Sequence, residues 1–194
     1  MRTLGLVLAA ATIAPPAFAW EPTGPALQTL SSGQAWAEVQ GEAQGAGLIH
    51  AAVDIPAPPK LVWAVMTDCR EMPKLIANGD PCRVLSADPG GTWDVREQVT
   101  HGNLIMPPIR NVYRSDYEPY TVIRFHRLSG DLRIEDGVWR FEPLNGGRGT
   151  RVIYENLVAA NIPAPSMLVR QALRSDTPKV LMNLRRECAA RVGQ

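Results

Sequence analysis

The chain has no excess of either charge and no long apolar run beyond its first residues. It contains 20 Lys and Arg against 19 Asp and Glu, so its formal net charge is +1. No basic block or acidic tail is present, which leaves no electrostatic footprint for nucleic acid. After residue 19 no segment resembles a transmembrane helix in length and hydropathy. These absences argue against a nucleic-acid partner and against a mature chain that spans a membrane.

Motifs of the common enzyme classes are also missing. The sequence has no Gly-x-Ser-x-Gly motif, no P-loop and no dinucleotide fingerprint. The three histidines, His50, His101 and His126, fall on separate segments without metal-ligand spacing, so we predict no metal and no cofactor. Glu135 and Asp136 are adjacent, and on a strand they would point to opposite faces rather than form a paired carboxylate site. The sequence therefore favours binding over any identifiable chemistry, and we predict no catalytic residue.

Residues 1–19 have the pattern of a secretory signal peptide. Arg2 supplies a positive start, Leu4 to Ile13 is a short apolar run, and Ala17-Phe18-Ala19 offers small residues where a signal peptidase reads. We expect cleavage after Ala19 and a mature chain that begins near Trp20 in the periplasm. The alternatives are an uncleaved membrane anchor and a fortuitous apolar start.

Cysteine is scarce, with only three in the chain. An oxidising compartment permits a disulfide, and Cys69 and Cys82 bracket a short loop that contains proline and glycine. We predict a Cys69–Cys82 bridge, with two buried free thiols as the alternative. Cys188 is left over in the last helical segment, where it fits a small buried hydrophobe.

The N-terminal half divides into an arm, a strand and two short helices. Residues 20–47 read as an N-terminal arm or leader strand, in which Glu21 to Ser32 is an extended arm and Gln34 to Gln40 a weak strand. Leu48 to Ile55 is a better strand, ended by proline. Pro59 favours a helix start before Lys60 to Thr67, and Asp68 can cap a second short helix over Arg70 to Ile76.

A meander of strands and a final helix make up the rest. Turn residues separate the strand candidates, which predicts antiparallel neighbours. The candidates are Cys82–Ala87, Thr92–His101, Arg110–Tyr117, Thr121–Leu128, Leu132–Phe141 and Thr150–Ala159. The apolar segment Gly102 to Pro108 reads as a strand extension or a flap. Met167 to Val192 has helical periodicity, and Pro178 predicts a kink or a break in it.

This order of elements resembles the START-like (SRPBCC) superfamily, which includes polyketide cyclase/dehydrase proteins and coenzyme Q-binding START-domain proteins. The resemblance is carried by Ile55-Pro56-Ala57-Pro58 before Val62-Trp63-Ala64-Val65, by Thr67-Asp68 and Met72-Pro73, by Gly137 to Pro143, and by Gly149 to Tyr154. It implies an α+β helix-grip fold over residues 48–194. In that fold a curved antiparallel sheet of about six to seven strands wraps around a long C-terminal helix, with two short helices after the first strand. It also implies a hydrophobic cavity between sheet and helix.

Strand and helix periodicity indicates which residues would line such a cavity. The candidates are Trp93, Val95, Phe125, Trp139, Phe141, Tyr154, Leu168, Val169, Ala172 and Leu173, and plain core packing is the alternative for each. Arg96, Glu97, Arg133 and Glu135 read as cross-strand ion pairs on a solvated face. Arg96 or Arg133 could instead face inward and orient a polar head group.

Two kinds of function fit these features. The first is an exported carrier that holds a lipid-, quinone- or sterol-like ligand without catalysis. The alternative is an aromatase/cyclase-type enzyme that acts on a polyketide-like or aromatic substrate, with Tyr154, Arg96 or Asp94 assisting, or else a protein of envelope interactions. The expected partner is a hydrophobic small molecule or lipid rather than nucleic acid. Transient membrane contact and the oligomeric state stay open.

Overall fold

The computed structural model describes residues 19–102, 107–161 and 165–193, which build one antiparallel sheet and the helices that pack on it. Within these residues the strands are β1 Trp36–Gly41, β2 Gly47–Ile55, β3 Arg83–Ala87, β4 Trp93–Thr100, β5 Ile109–Glu118, β6 Val122–Gly130, β7 Leu132–Leu144 and β8 Gly149–Ala160. The helices are α1 Pro25–Ser31, α2 Pro59–Thr67, α3 Met72–Leu75 and α4 Ser166–Ala189. Short 3₁₀ turns occupy Ala43–Gly45, Cys69–Glu71 and Asn145–Gly147.

The strands lie in the order β1-β2-β8-β7-β6-β5-β4-β3, and every neighbouring pair is antiparallel. Short turns join β3 to β4 and then β5, β6, β7 and β8 in sequence, as the turn residues predict, and β4 pairs with β5 to complete the meander. The connection between β2 and β3 contains α2 and α3, which carry the chain from one end of the sheet to the other. The predicted helix-grip fold is therefore confirmed.

The apolar core lies between α4 and one end of the sheet. Leu181, Leu184 and Cys188 of α4 are fully buried against Ile49 and Val53 of β2 and their neighbours on β8 and α2. We call the side of the sheet that α4 covers the inner face, and the opposite side the outer face. Burial of these apolar side chains makes the largest favourable contribution to the folding free energy of a domain of this length.

Helix α4 runs without interruption through Pro178, so the predicted break is wrong. A proline inside a helix costs roughly 3 kcal/mol because it removes one backbone hydrogen bond and crowds the preceding turn. Here Leu173 precedes Pro178 and Leu181 and Leu184 follow it, and all three pack on the same core. Tertiary packing on both sides offsets the local cost.

The segment before residue 48 is part of the sheet, which is why the sheet has eight strands instead of the six to seven expected. Of the two predictions for this segment, the leader strand is observed, because β1 pairs with β2 along its whole length. The extended arm over Glu21 to Ser32 is wrong in part, since Pro25–Ser31 is helical. Leu30 of α1 packs on Ala52 and Ile153 at the outer face.

The connection after α2 is held by local bonds and by a disulfide. Asp68 accepts a hydrogen bond from the Arg70 backbone N–H at 2.9 Å, as its predicted capping role requires. Hydrogen bonds from the Arg70 side chain and backbone lower the pKa of Asp68 to about 2. The predicted Cys69–Cys82 disulfide is confirmed, and Cys188 is a buried free thiol. Among the described residues no helix is both long and apolar enough to cross a bilayer.

Candidate functional site

Alternation along β4 to β8 places a mixed aromatic and polar set on the inner face. Antiparallel partners point to the same side, so the pairs Arg96 with Tyr113, Ser115 with Phe125, and Trp139 with Tyr154 extend one face across the sheet. We call these residues the inner-face cluster. Its members are Asp94, Arg96, Gln98, Asn111, Tyr113, Ser115, Tyr117, Phe125, Arg127, Glu135, Trp139, Tyr154 and Asn156.

An aromatic row crosses this cluster from β5 to β8. The ring centroids of Tyr113 and Phe125 are 6.4 Å apart, those of Phe125 and Tyr154 are 6.2 Å apart, and those of Tyr154 and Trp139 are 3.9 Å apart. Gly137 makes the row possible, because a Cβ at that position would clash with the Phe125 ring and come within 2.5 Å of the Glu155 carbonyl oxygen. The row offers a continuous apolar surface with phenolic hydroxyls at two of its rings.

A buried ion pair lies beside the aromatic row on β4. The Arg96 guanidinium donates to both carboxylate oxygens of Asp94, from Nε at 2.9 Å and from Nη2 at 2.7 Å, and both residues are 6% exposed. Arg96 Nη1 lies 3.8 Å from Cys82 Sγ, which is only a weak acceptor. Arg96 also lies over the Tyr117 ring at 5.9 Å. One edge of the guanidinium therefore lacks a strong partner among the described residues.

Glu135 is a half-buried carboxyl group on this face. It accepts a hydrogen bond from Asn111 Nδ2 on β5. Burial raises the pKa of Glu135 above its usual range, against the opposite effects of Asn111 and Arg127. A carboxyl group donates a hydrogen bond only while it is protonated, and a raised pKa extends the pH range in which it does so.

The tyrosines of the cluster are held in their protonated form. Burial raises the pKa of Tyr113 to about 12, and it raises the pKa values of Tyr117 and Tyr154 as well. At neutral pH these hydroxyls are therefore hydrogen-bond donors. Tyr154 Oη already accepts a hydrogen bond from Asn156 Nδ2 at 2.8 Å, so the hydroxyl proton of Tyr154 points away from Asn156.

Several buried polar atoms of the cluster have no hydrogen-bond partner among the described residues. They are Gln98 Oε1, Asn111 Oδ1, Asn156 Oδ1 and Arg127 Nε. Buried polar atoms are rarely left unpaired, because each one costs about 1–3 kcal/mol in lost solvation. Three unpaired amide oxygens on one face are the arrangement expected where a polar group of a ligand, or water, completes the bonding.

The structure places some of the predicted cavity residues on this face and some elsewhere. Phe125, Trp139, Phe141 and Tyr154 lie on the inner face. Trp93 and Val95 do not, and their prediction is corrected. Both point to the outer face, where the Trp93 ring contacts the Arg114 guanidinium at 4.4 Å. Side chains of β4 do alternate between the two faces, but the set predicted to point inward is the wrong one. The inward positions are Asp94, Arg96 and Gln98 instead of apolar residues.

The predicted polar residues are corrected in the same way. Arg96 is buried on the inner face, where it pairs with Asp94, which fits the inward alternative for Arg96. Glu135 is half-buried on the same face and is not part of a cross-strand ion pair among the described residues. Glu97 does lie in an outer ion pair, with Arg83 at 2.6 Å and Arg110 at 2.6 Å. Arg133 is exposed and donates to the Gln44 carbonyl beyond the sheet edge, so it takes no part in the cluster.

The helix residues predicted to line the cavity are only partly covered. Leu168 is 56% exposed, Val169 and Ala172 are half-buried, and Leu173 packs on the apolar core. The predicted flap over Gly102 to Pro108 falls largely outside the described residues. A separate surface pocket of about 390 Å³ lies near Asp54 and Arg148, and none of the inner-face cluster lines it.

Sequence reasoning missed Gln98, Asn111, Asn156 and Arg127. One signal was available, since Asn111, Tyr113, Ser115 and Tyr117 alternate along β5 and put four polar-capable side chains on one face. The prediction assumed that the apolar side chains of each strand point inward, and β5 does not follow that assumption.

The comparisons with known proteins agree with this architecture. Residues 55–185 match the family described as polyketide cyclase / dehydrase and lipid transport, so the chain belongs to that family. A search of curated proteins found no match. Similar solved structures include the ZhuI aromatase/cyclase from a Streptomyces species, with 15% identity, a TM-score of 0.65, and coverage of 76% of this chain and 96% of that one.

Two lipid-transfer structures are about equally similar. The STAR-related lipid transfer protein from Xanthomonas axonopodis has 16% identity and a TM-score of 0.63, covering 79% of this chain and 98% of that one. The lipid transfer and protein localization domain of human StarD13 has 13% identity and a TM-score of 0.66, covering 79% and 83%. Identities this low establish the shared START-like fold alone.

Proposed function

We propose that the protein is an exported carrier that binds a hydrophobic ligand with one polar end on the inner face of its sheet. The observation that carries this proposal is a set of three buried amide oxygens with no partner among the described residues, Gln98 Oε1, Asn111 Oδ1 and Asn156 Oδ1, beside the aromatic row. The aromatic rings would hold the apolar body, and the amide oxygens would accept from a hydroxyl or similar donor. A lipid, quinone or sterol with a polar head group has this chemistry.

The charge of the cluster refines the ligand class. The Asp94 and Arg96 charges compensate each other within hydrogen-bond distance, so the site need not bind a full counter-charge. The remaining edge of Arg96 can donate to a carbonyl or hydroxyl oxygen of the ligand. We therefore expect a neutral polar head group to be preferred over a strongly charged one.

Export is part of the same proposal. The Cys69–Cys82 disulfide is typical of an oxidising compartment. Residues 1–19 have the pattern of a signal peptide. Together they support a periplasmic location.

This function is tested by expressing the full precursor in a bacterial host, purifying the exported protein, and measuring its native mass before and after organic extraction. The expected result is a discrete added mass that leaves with the organic phase. A clean unliganded mass, with no later uptake of a fluorescent fatty acid, would refute the carrier.

The chain offers a matched pair of variants for that experiment. Arg96 and Arg114 lie on neighbouring strands, and each binds the aspartate two positions away, but Arg96 faces inward and Arg114 outward. Arg96→Gln should weaken ligand binding about tenfold, because a charge-assisted hydrogen bond is lost. Arg114→Gln should leave binding unchanged. Tyr154→Phe, which removes only a hydroxyl, tests the same face if Arg96→Gln folds poorly.

One observation favours catalysis in the same site as a second candidate. Glu135 is a half-buried carboxyl group with a raised pKa, near the Tyr154 and Tyr113 hydroxyls, and such a group can act as a general acid. An aromatase/cyclase-type reaction on a polyketide-like or aromatic substrate would need this proton. Glu135→Gln would then abolish turnover while leaving binding intact, whereas a pure carrier would show no turnover to lose.

A further inference from the structure

Trp20 is fixed on the outer face of the sheet, far from the inner-face cluster. Its indole stacks on Trp36 at 5.3 Å and on His50 at 5.2 Å, with ring planes nearly parallel in both cases. Its backbone N–H donates to Glu155 Oε2 at 3.1 Å, and its carbonyl oxygen accepts from Arg140 Nη2. The side chain and both backbone polar groups of one residue are therefore bound.

The acceptor of the Trp20 nitrogen is a buried carboxylate. Glu155 is 2% exposed on the central strand β8. His50 Nε2 lies 3.8 Å from its Oε2, and Arg140 Nη1 lies 3.5 Å from its Oε1. Oε1 makes no hydrogen bond to the described residues. A buried carboxylate is strongly destabilising unless cations and donors compensate it.

The surrounding side chains do not supply enough positive charge for this. Arg140 is shared between Glu155 and Glu21, with Glu21 at 3.0 Å. His50 is shared between Glu155 and Glu38, with Glu38 at 3.3 Å. Three carboxylates thus share one arginine and one histidine. Burial and the Glu21 charge also raise the pKa of the neighbouring Glu142, which fits a local excess of negative charge.

We propose that the bond between Ala19 and Trp20 is the processing site of the chain, and that the α-ammonium group released on Trp20 binds Glu155. Hydrolysis by a signal peptidase consumes one water, leaves a carboxylate on Ala19 and leaves an amine on Trp20. That amine is protonated at neutral pH, since α-amino groups titrate near 7.7–8.0. Processing therefore adds one positive charge 3.1 Å from the buried carboxylate, where a neutral amide was before.

Glu155 therefore forms a binding site for the new N-terminus of the processed chain. A charge-assisted hydrogen bond is roughly twice as strong as a neutral one, so the mature chain binds its first residue more tightly than the precursor does. Bound in this way, Trp20 covers the outer face of the sheet where β1, β2 and β8 lie side by side. The inference rests on the export part of the proposed function and does not depend on ligand binding.

Two proteins that differ by one residue test the ammonium site. One begins at Trp20 and the other at Ala19, each released from a fusion partner by a protease that leaves no extra residue, and each with or without Glu155→Gln. The Trp20 chain should melt higher than the Ala19 chain by roughly 2–4 °C, which is the shift for about a fivefold change in folding equilibrium at this length. The difference should vanish with Glu155→Gln. Equal melting temperatures of the two wild-type chains would overturn the proposal.

A control variant and a mass measurement complete the test. Glu38→Gln removes a carboxylate that contacts His50 but not the Trp20 nitrogen, so the start-dependent difference should persist. The full precursor, exported by a bacterial host, should yield the mass of residues 20–194. A different start would overturn the processing site. Absence of a bound ligand would leave both results unchanged, which separates this inference from the carrier proposal.

Discussion

The two ends of the sheet bury their inner faces in opposite ways. At the β1–β2–β8 end, Ile49, Val53 and Val152 pack against Leu181 and Leu184 of α4 in a continuous apolar core. At the β4–β5 end, the buried positions hold a salt bridge, amides and a hydroxyl, and the amide oxygens of Gln98 and Asn111 find no partner among the described residues. Both ends belong to one hydrogen-bonded ladder, so backbone pairing does not distinguish them.

This difference separates the part of the molecule that stabilises the fold from the part suited to bind something. Apolar burial contributes roughly 25 cal/mol per Å², and the α4 end has most of it. Buried polar groups contribute little net stability and cost stability when unpaired. Their presence at the other end is explained by recognition better than by folding.

The largest effect is expected from breaking the buried ion pair. Asp94→Asn would leave the Arg96 guanidinium buried without its counter-charge and should cost roughly 3–5 kcal/mol in the free energy of unfolding. Replacing both residues together, as Asp94→Leu with Arg96→Met, should recover most of that loss while ligand binding stays impaired. Urea unfolding and extraction of bound ligand measure the two quantities. A stable double variant that binds normally would contradict the assignment of this end to binding.

At the packed end, Leu184→Ala should lower the free energy of unfolding by roughly 2–5 kcal/mol, because it opens a cavity beneath α4. The folded fraction should still carry its ligand. Leu168→Ala on the same helix is the matched control, and its effect should stay within about 0.5 kcal/mol because Leu168 is exposed. If Leu184→Ala lost ligand in its folded fraction, the separation of the two ends would be wrong.

Gly137→Ala tests the aromatic row, with a smaller cost of roughly 1–3 kcal/mol from overpacking. The added Cβ must displace the Phe125 ring or the Glu155 carbonyl. Phe125→Leu in the same chain makes room and should restore part of the stability, as thermal unfolding would show. An unchanged melting temperature for Gly137→Ala alone would mean that the row adjusts freely.

The smallest effect concerns pH and Glu135. Its pKa is raised in the folded state, so its contribution to stability is fully present below the unfolded pKa and is lost as pH rises through the folded value. Glu135→Gln should therefore flatten the decline in stability from acidic to neutral pH, because it mimics the protonated form. Unfolding curves over that pH range measure this. A variant with the same slope as the wild-type chain would place the titration on another group.

Much of the fold could be predicted from local chemistry. Pro59 at the start of α2, Asp68 as a cap and Asp88-Pro89-Gly90-Gly91 between β3 and β4 mark element ends by their backbone preferences, and each is found there. The Cys69–Cys82 bridge followed from two cysteines around a short loop. The weak points were elements whose stability comes from contacts instead: β1 gains its partner β2 only in the sheet, and α4 passes Pro178 because both of its halves pack on one core.

The candidate site was less accessible from sequence. Phe125, Trp139 and Tyr154 share a face by simple alternation, and in the structure that face is the inner one. On β4 the same alternation gives no sign of which phase is inward, because Trp93 and Val95 look more like buried residues than Asp94 and Arg96 do. The pairing of β4 with β5 decides the question, and that pairing brings four polar side chains of β5 to the same side.

By itself the sequence determined the order of elements, the positions of most turns and helix caps, the disulfide and the family, since each rests on residues close together in the chain or on a motif order. Only the tertiary structure decided which face each strand buries and which polar atoms stay unpaired. It also decided that the backbone of Trp20 meets Glu155, 135 positions away in the sequence. These depend on partners from distant strands, whose register no local preference specifies.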